Sequence, residues 1–224
     1  MDFKHKELIL FDLDGTLIDS VPDLALSLNL TLEKLGMQTY EENTIRSWVG
    51  NGAATIVKRA LSGSVEISED INEDLFNKAL EIFLDFYKDN LTTSTRLYPN
   101  VKHTLQSLKQ KGYILTIVTN KPYAFIEPIL QDLKIGNLFS YCIGADSLDE
   151  KKPSAKPLFH VCAKFNKSIE KSIMIGDSKN DILAASNASM DSIAVTYGYN
   201  YDENIVKYNP NVVFDNFSSL NKVF

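Results

Sequence analysis

The chain has 224 residues, 44% of them hydrophobic and 23% charged, and carries a net charge of −6. This suits a globular protein of one large or two small domains. It argues against a nucleic-acid or membrane-surface binder, which would need a basic patch. No apolar run is long enough to span a membrane, no basic start leads into a signal-like apolar stretch, and two cysteines give no disulfide framework, so cytoplasmic residence is expected.

Leu8 to Phe11 is an apolar run that reads as a buried parallel strand, and Gly15 and Thr16 read as the turn that leaves it. Asp12 and Asp14 therefore stand at the carboxyl end of a strand, where open α/β sheets hold their ligands. Buried like charges need a cation or a proton beside them, and an all-oxygen donor set suits magnesium. Asp19-Ser20-Val21-Pro22 then looks like a helix start, with Leu24, Leu28, Leu32 and Leu35 at helical spacing and Gly36 at the end. Residues 41–49, 53–61 and 70–90 read as further helices, the last with a broad stripe from Leu75 to Tyr87. From Gly36 to about Asn90 no strand is evident. The pattern predicts an inserted helical domain.

Alternation resumes at Tyr98-Pro99. Helices are expected over 101–111, 122–133, 157–165 and 180–188. Strands are expected over 113–118, 141–143, 172–175, 192–195 and 212–214, followed by a short terminal helix. Strands alternating with helices imply right-handed crossovers, hence an α/β fold with a doubly wound parallel sheet. The core would comprise residues 1–16 and 91–224 and the helical cap residues 17–90. His5, His103 and His160 are scattered and form no metal spacing.

Three later strand ends also carry polar groups: Thr119-Asn120, Lys151-Lys152-Pro153 in the loop after Cys142-Ile143, and Gly176-Asp177-Ser178-Lys179-Asn180-Asp181. Individually these are ordinary turn and cap residues. In a parallel sheet they gather on one edge with Asp12 and Asp14. In this order they resemble the four motifs of the haloacid dehalogenase-like phosphatases.

The resemblance implies that Asp12 is the nucleophile, Asp14 the general acid and base, and Thr119 a hydrogen-bond donor to the phosphoryl group. It implies that Lys152 neutralises nucleophile and phosphate, and that Mg2+ is held by Asp12, Asp177 and the backbone carbonyl of Asp14, with Asp181 in support. Asp14 separates this pattern from the dehalogenases, which need no second acid. The chemistry is coherent, because an aspartyl-phosphate intermediate splits one difficult displacement into two.

Trp48-Val49-Gly50-Asn51-Gly52-Ala53-Ala54, Thr119-Asn120-Lys121-Pro122 and Gly198-Tyr199-Asn200-Tyr201 are similar to the phosphoglycolate phosphatases of that superfamily. On this likeness Thr16, Gly50, Asn51, Gly52 and Asn120 would meet a small phosphate monoester, with the Asn51 amide suited to its leaving group. Monomer or homodimer both remain open. So do other small substrates (a nucleoside monophosphate, pyrophosphate or a sugar phosphate), a phosphomutase and a phosphoacceptor module. The chain departs from the family at Asn100, where glycine is frequent, and at Ser154-Ala155, where a second proline is usual.

Overall fold

A computed structural model describes residues 2–201 and 203–224; Met1 and Asp202, which fall inside the spans assigned to the core, lie outside the described residues. Six parallel strands form the central sheet: β1 (Leu8–Phe11), β4 (Ile114–Val118), β5 (Tyr141–Ile143), β6 (Ser172–Gly176), β7 (Asp191–Val195) and β8 (Val212–Phe214). Their spatial order is β5-β4-β1-β6-β7-β8. Phe11 pairs with Ile117 on one side and Ile175 on the other, so β1 is enclosed by β4 and β6. The chain runs outward on one side of β1 and returns to build the other, and this reversal is where an open parallel sheet forms its ligand crevice.

All four residues of β1 are fully buried, and their two-residue period divides the core. Ile9 and Phe11 belong to a cluster with Val101, Leu105 and Leu108 of α5 (Val101–Gln110) and Ile126 and Ile129 of α6 (Ile126–Asp132). Leu8 and Leu10 face Leu158 and Val161 of α7 (Lys156–Lys164) and Ala184 and Ala185 of α8 (Lys179–Asn187). Helices thus cover both faces. Asn100 takes a positive φ of 66° before α5, a conformation that asparagine tolerates where glycine would be free.

Four helices stand between β1 and α5: α1 (Val21–Lys34), α2 (Glu42–Arg46), α3 (Ala53–Ser62) and α4 (Glu73–Asp89). Leu24 and Leu28 of α1, Ile56 and Val57 of α3, and Ala79, Phe83 and Tyr87 of α4 join the same buried cluster as Phe11. No helix among the described residues is long and apolar enough to cross a membrane.

Two features differ from the sequence reading. The segment expected to be helical over 41–49 keeps only the five residues of α2, then turns through Val49 and Gly50. A two-stranded antiparallel ribbon, β2 (Ile18–Asp19) with β3 (Arg96–Leu97), joins the helices to the sheet. Two-residue strands carry no periodic signal, so nothing in the local pattern marks them.

The ribbon is reinforced by Asp23 in the first turn of α1. Its fully buried carboxylate accepts backbone N–H groups from Ser94 (2.8 and 3.0 Å) and Thr95 (2.7 Å). Asp23→Ala would leave those donors buried without a partner. We expect it to lower unfolding stability by about 2–4 kcal/mol, read as a fall in urea midpoint at unchanged slope. A loss below about 1 kcal/mol would mean that water replaces the carboxylate there.

Candidate active site

Each strand that flanks the crevice ends in a polar residue. Asp12 follows β1 and its backbone N–H bonds Ile175 O at 2.9 Å; Thr119 follows β4 and bonds Ile143 O at 3.1 Å; Asp177 follows β6. Hydrophobic pairing of the strands therefore carries these side chains to one edge with no further interaction required.

Asp12, Asp177 and Asp181 each offer an oxygen within 4.8 Å of the others, and all three are buried. Asp177 is held by the Thr16 hydroxyl at 2.6 Å and the Tyr199 N–H at 2.6 Å. Asp181 caps its own helix through Ser178 N and Oγ, at 3.0 and 2.9 Å, while its other oxygen meets Lys152 Nζ at 2.5 Å. Lys152, from the loop after β5, also pairs with Asp12 at 3.0 Å. The packing is close: a methyl at Gly198 would overlap the Asp177 carboxylate and the Gly15 carbonyl, and one at Gly15 would overlap Asp177.

Burial pushes the Asp12 carboxyl up to about 7, against the pull of Lys152 and with Asp181 adding to the rise. Burial likewise raises Asp177 well above the usual carboxylate range, reinforced by Asp12. Lys152 holds its proton more tightly than usual, because Asp12 and Asp181 outweigh the burial that opposes its charge. Three carboxylates against one ammonium leave negative charge in a buried site, and all the donors are oxygen. That set fits a hard divalent cation.

Asp14 points elsewhere. Its carboxylate accepts the Ser20 hydroxyl at 2.6 Å and Lys121 Nζ at 2.9 and 3.1 Å. The side chain is thus apart from the acidic triple, and only the backbone of Asp14 is left to join a metal. Lys121 is 4% exposed and also donates to Tyr87 of α4 at 2.5 Å. Asp14 and Tyr87 keep Lys121 charged although burial opposes it, and burial pushes the Tyr87 hydroxyl up to about 12. The sequence reading gave Lys121 no role and Tyr87 only a place in an apolar stripe. Their one local signal is a lysine at a strand end, between Asn120 and Pro122.

A cavity of about 40 Å3 lies between sheet edge and helices, lined by Asp12, Asp14, Thr119, Asn120 and Lys121 from below and by Gly50, Gly52, Ile56, Phe83 and Tyr87 from above. That volume holds a few waters, or one small ligand group. The loop over it is fastened to the sheet side. The Asn120 and Asn180 amides both donate to Gly50 O, at 3.2 and 3.1 Å, and Lys151 donates to Asn51 O at 2.8 Å. Asn120 also donates to Lys152 O at 3.0 Å, and its Oδ1 is buried with no hydrogen-bond partner among the described residues. Two residues expected at the substrate lie differently. Thr16 is spent on Asp177, and Asn51 is not among the residues that line the cavity.

A nucleophile-type carboxylate paired with lysine, an acidic triple and a second carboxylate under a helical roof define a hydrolase class. The family model for haloacid dehalogenase-like hydrolases matches residues 9–195, and the chain belongs to that family. It is 50% identical to the phosphoglycolate phosphatase of Colwellia psychrerythraea, covering 98% of this chain and 97% of that one. It is 47% identical to the phosphoglycolate phosphatase of Psychrobacter arcticus, covering 96% and 94%. The crystal structure of a predicted phosphoglycolate phosphatase from Haemophilus somnus 129pt superposes with a TM-score of 0.92 at 42% identity, with 98% of each chain covered. Haloacid dehalogenase-like phosphatases generally need a divalent metal, and the buried acidic triple could hold one.

Gly198 tests that placement without altering any charge. Gly198→Ala should displace Asp177 and weaken divalent-metal affinity by about 10–100-fold, measured by calorimetric titration. Unchanged affinity would move the metal away from Asp177.

Proposed function

We propose that the protein is a magnesium-dependent phosphatase that hydrolyses 2-phosphoglycolate to glycolate and phosphate. The observation that carries this reading is the division of one small cavity between two differently supported carboxylates: Asp12 beside Lys152, and Asp14 beside Lys121 and Ser20. Residues 17–90 act as the cap and residues 1–16 with 91–224 as the catalytic core. The cap's small, largely apolar roof supports a short substrate.

Asp12 attacks phosphorus and forms an aspartyl-phosphate, while Asp14 gives a proton to the departing alkoxide. Asp14 then takes a proton from the water that cleaves the acyl phosphate. Thr119 Oγ1, which already accepts the Lys121 N–H at 3.2 Å, has its own proton to donate to the phosphoryl group. Lys152 offsets charge on the nucleophile and the phosphoryl oxygens. Asp12, Asp177 and the Asp14 backbone would hold Mg2+, whose charge stabilises the transferring phosphoryl group when bound. Asp181 steadies Lys152 and the start of α8. The apolar roof excludes water from the first step.

Two measurements test this. Asp12→Asn keeps shape and removes the attacking charge. We expect kcat to fall by more than about a thousandfold (over 4 kcal/mol in barrier) in a variant that still unfolds in one cooperative transition. Retention of a tenth of the activity would contradict covalent catalysis at Asp12. Across 2-phosphoglycolate, hexose phosphates, nucleoside monophosphates and pyrophosphate, 2-phosphoglycolate should lead in kcat/KM by at least about tenfold, or 1.4 kcal/mol. Another substrate ahead by that margin would replace the substrate and leave the phosphatase chemistry standing.

A further inference from the structure

We infer that Lys121 recognises a carboxylate on the leaving group, and so selects phosphate esters of small hydroxy acids over their neutral counterparts. The inference rests on the phosphatase reading above, in which Asp14 acts at the leaving-group oxygen.

Lys152 lies beside Asp12, at the phosphoryl end, and Lys121 lies beside Asp14, at the leaving-group end. Whatever sits against the Asp14 carboxylate therefore sits against the leaving group. In 2-phosphoglycolate a carboxylate oxygen is three bonds from the bridging oxygen, and Lys121 Nζ is 2.9 Å from the group that would protonate that oxygen. The short acid needs no further length to meet the ammonium.

The surroundings leave the task to this residue. Among the described residues that line the cavity, Lys121 is the only cation, and the remaining wall near it is Leu24, Ile56, Phe83 and Phe125. An ionised carboxylate in such a wall needs a paired charge. Arg46 does not reach it, because its guanidinium is taken by Asp19 and Glu42. Lys58 lies over the Phe76 ring and does not line the cavity.

Lys121 is also held as a binding group should be. Its N–H bonds Thr119 Oγ1, and its carbonyl accepts Ala145 N at 3.0 Å. A methyl at Gly144 would come within 2.6 Å of that carbonyl, so the backbone is closely packed. The ammonium rests 4.6 Å from the Tyr87 ring centroid, a low-dielectric setting in which a charge-assisted bond is strong. Asn51, whose amide the sequence had suggested for this task, lies outside the cavity lining.

The alternative is that Lys121 only steadies Asp14, and a specificity ratio separates the two. The wild type, Lys121→Gln and Lys121→Arg are assayed on 2-phosphoglycolate and on 2-hydroxyethyl phosphate, which replaces the carboxylate with a neutral hydroxymethyl group. We expect the ratio of their kcat/KM values to fall at least about tenfold in Lys121→Gln, whatever the common loss of turnover, and to recover partly in Lys121→Arg. Equal loss on both substrates would reduce Lys121 to a support for Asp14 and overturn the inference. A wild type that shows no preference for 2-phosphoglycolate would instead overturn the substrate reading, and the inference with it. Where turnover is too low to measure, calorimetric Kd values for both esters in Asp12→Asn, with and without Lys121→Gln, give the same ratio. A ratio independent of Lys121 there also overturns the inference.

Discussion

The structure depends on an imbalance of buried charge. Asp12, Asp177 and Asp181 crowd about a single ammonium, Lys152, in a buried site. Such a cluster is unstable unless every oxygen is placed and the surplus charge is answered. The surrounding chain supplies the placement. Thr16 and the Tyr199 N–H fix Asp177, Ser178 fixes Asp181, and Gly15 and Gly198 leave the room that the carboxylates occupy. The surplus charge and the all-oxygen donor set suit the site to a hard divalent cation.

The crowding follows from topology. β1 lies between β4 and β6 in register, so residues that follow the three strands become neighbours although over a hundred residues separate Asp12 from Thr119. Apolar pairing of Phe11 with Ile117 and Ile175 thus holds polar groups together that would not associate in water. The helices inserted after the first strand return on the β2–β3 ribbon and roof the same edge. One fold therefore supplies both the acidic floor and the apolar roof.

Much of this was legible in the sequence. Each strand of the sheet shows as an apolar run, and the polar residues at their ends mark Asp12, Thr119 and Asp177. Those signals are local, because they come from burial and period. What the sequence hides is pairing over distance. Lys121 reads as a loop lysine until the fold brings Asp14 and Tyr87 to it. Thr16 reads as a substrate contact until Asp177 takes its hydroxyl, and the ribbon of Ile18–Asp19 with Arg96–Leu97 is too short to leave a periodic trace. Asn51 stands in a glycine-rich turn that suggests a ligand, yet its backbone carbonyl is used to fasten the loop to Lys151.

Two lysines answer two sets of acids: Lys152 pairs with Asp12 and Asp181, and Lys121 pairs with Asp14. The central claim is that the buried carboxylates are in mutual conflict until a divalent cation joins them. Thermal unfolding of the wild type and Asp12→Asn, each in chelator and in excess magnesium, tests it most directly. The account predicts that magnesium raises the wild-type Tm by mass action. It also predicts that Asp12→Asn melts higher than wild type in chelator, because one repelling charge is gone, and gains less from magnesium. A wild-type Tm indifferent to magnesium, with Asp12→Asn less stable in chelator, would contradict it.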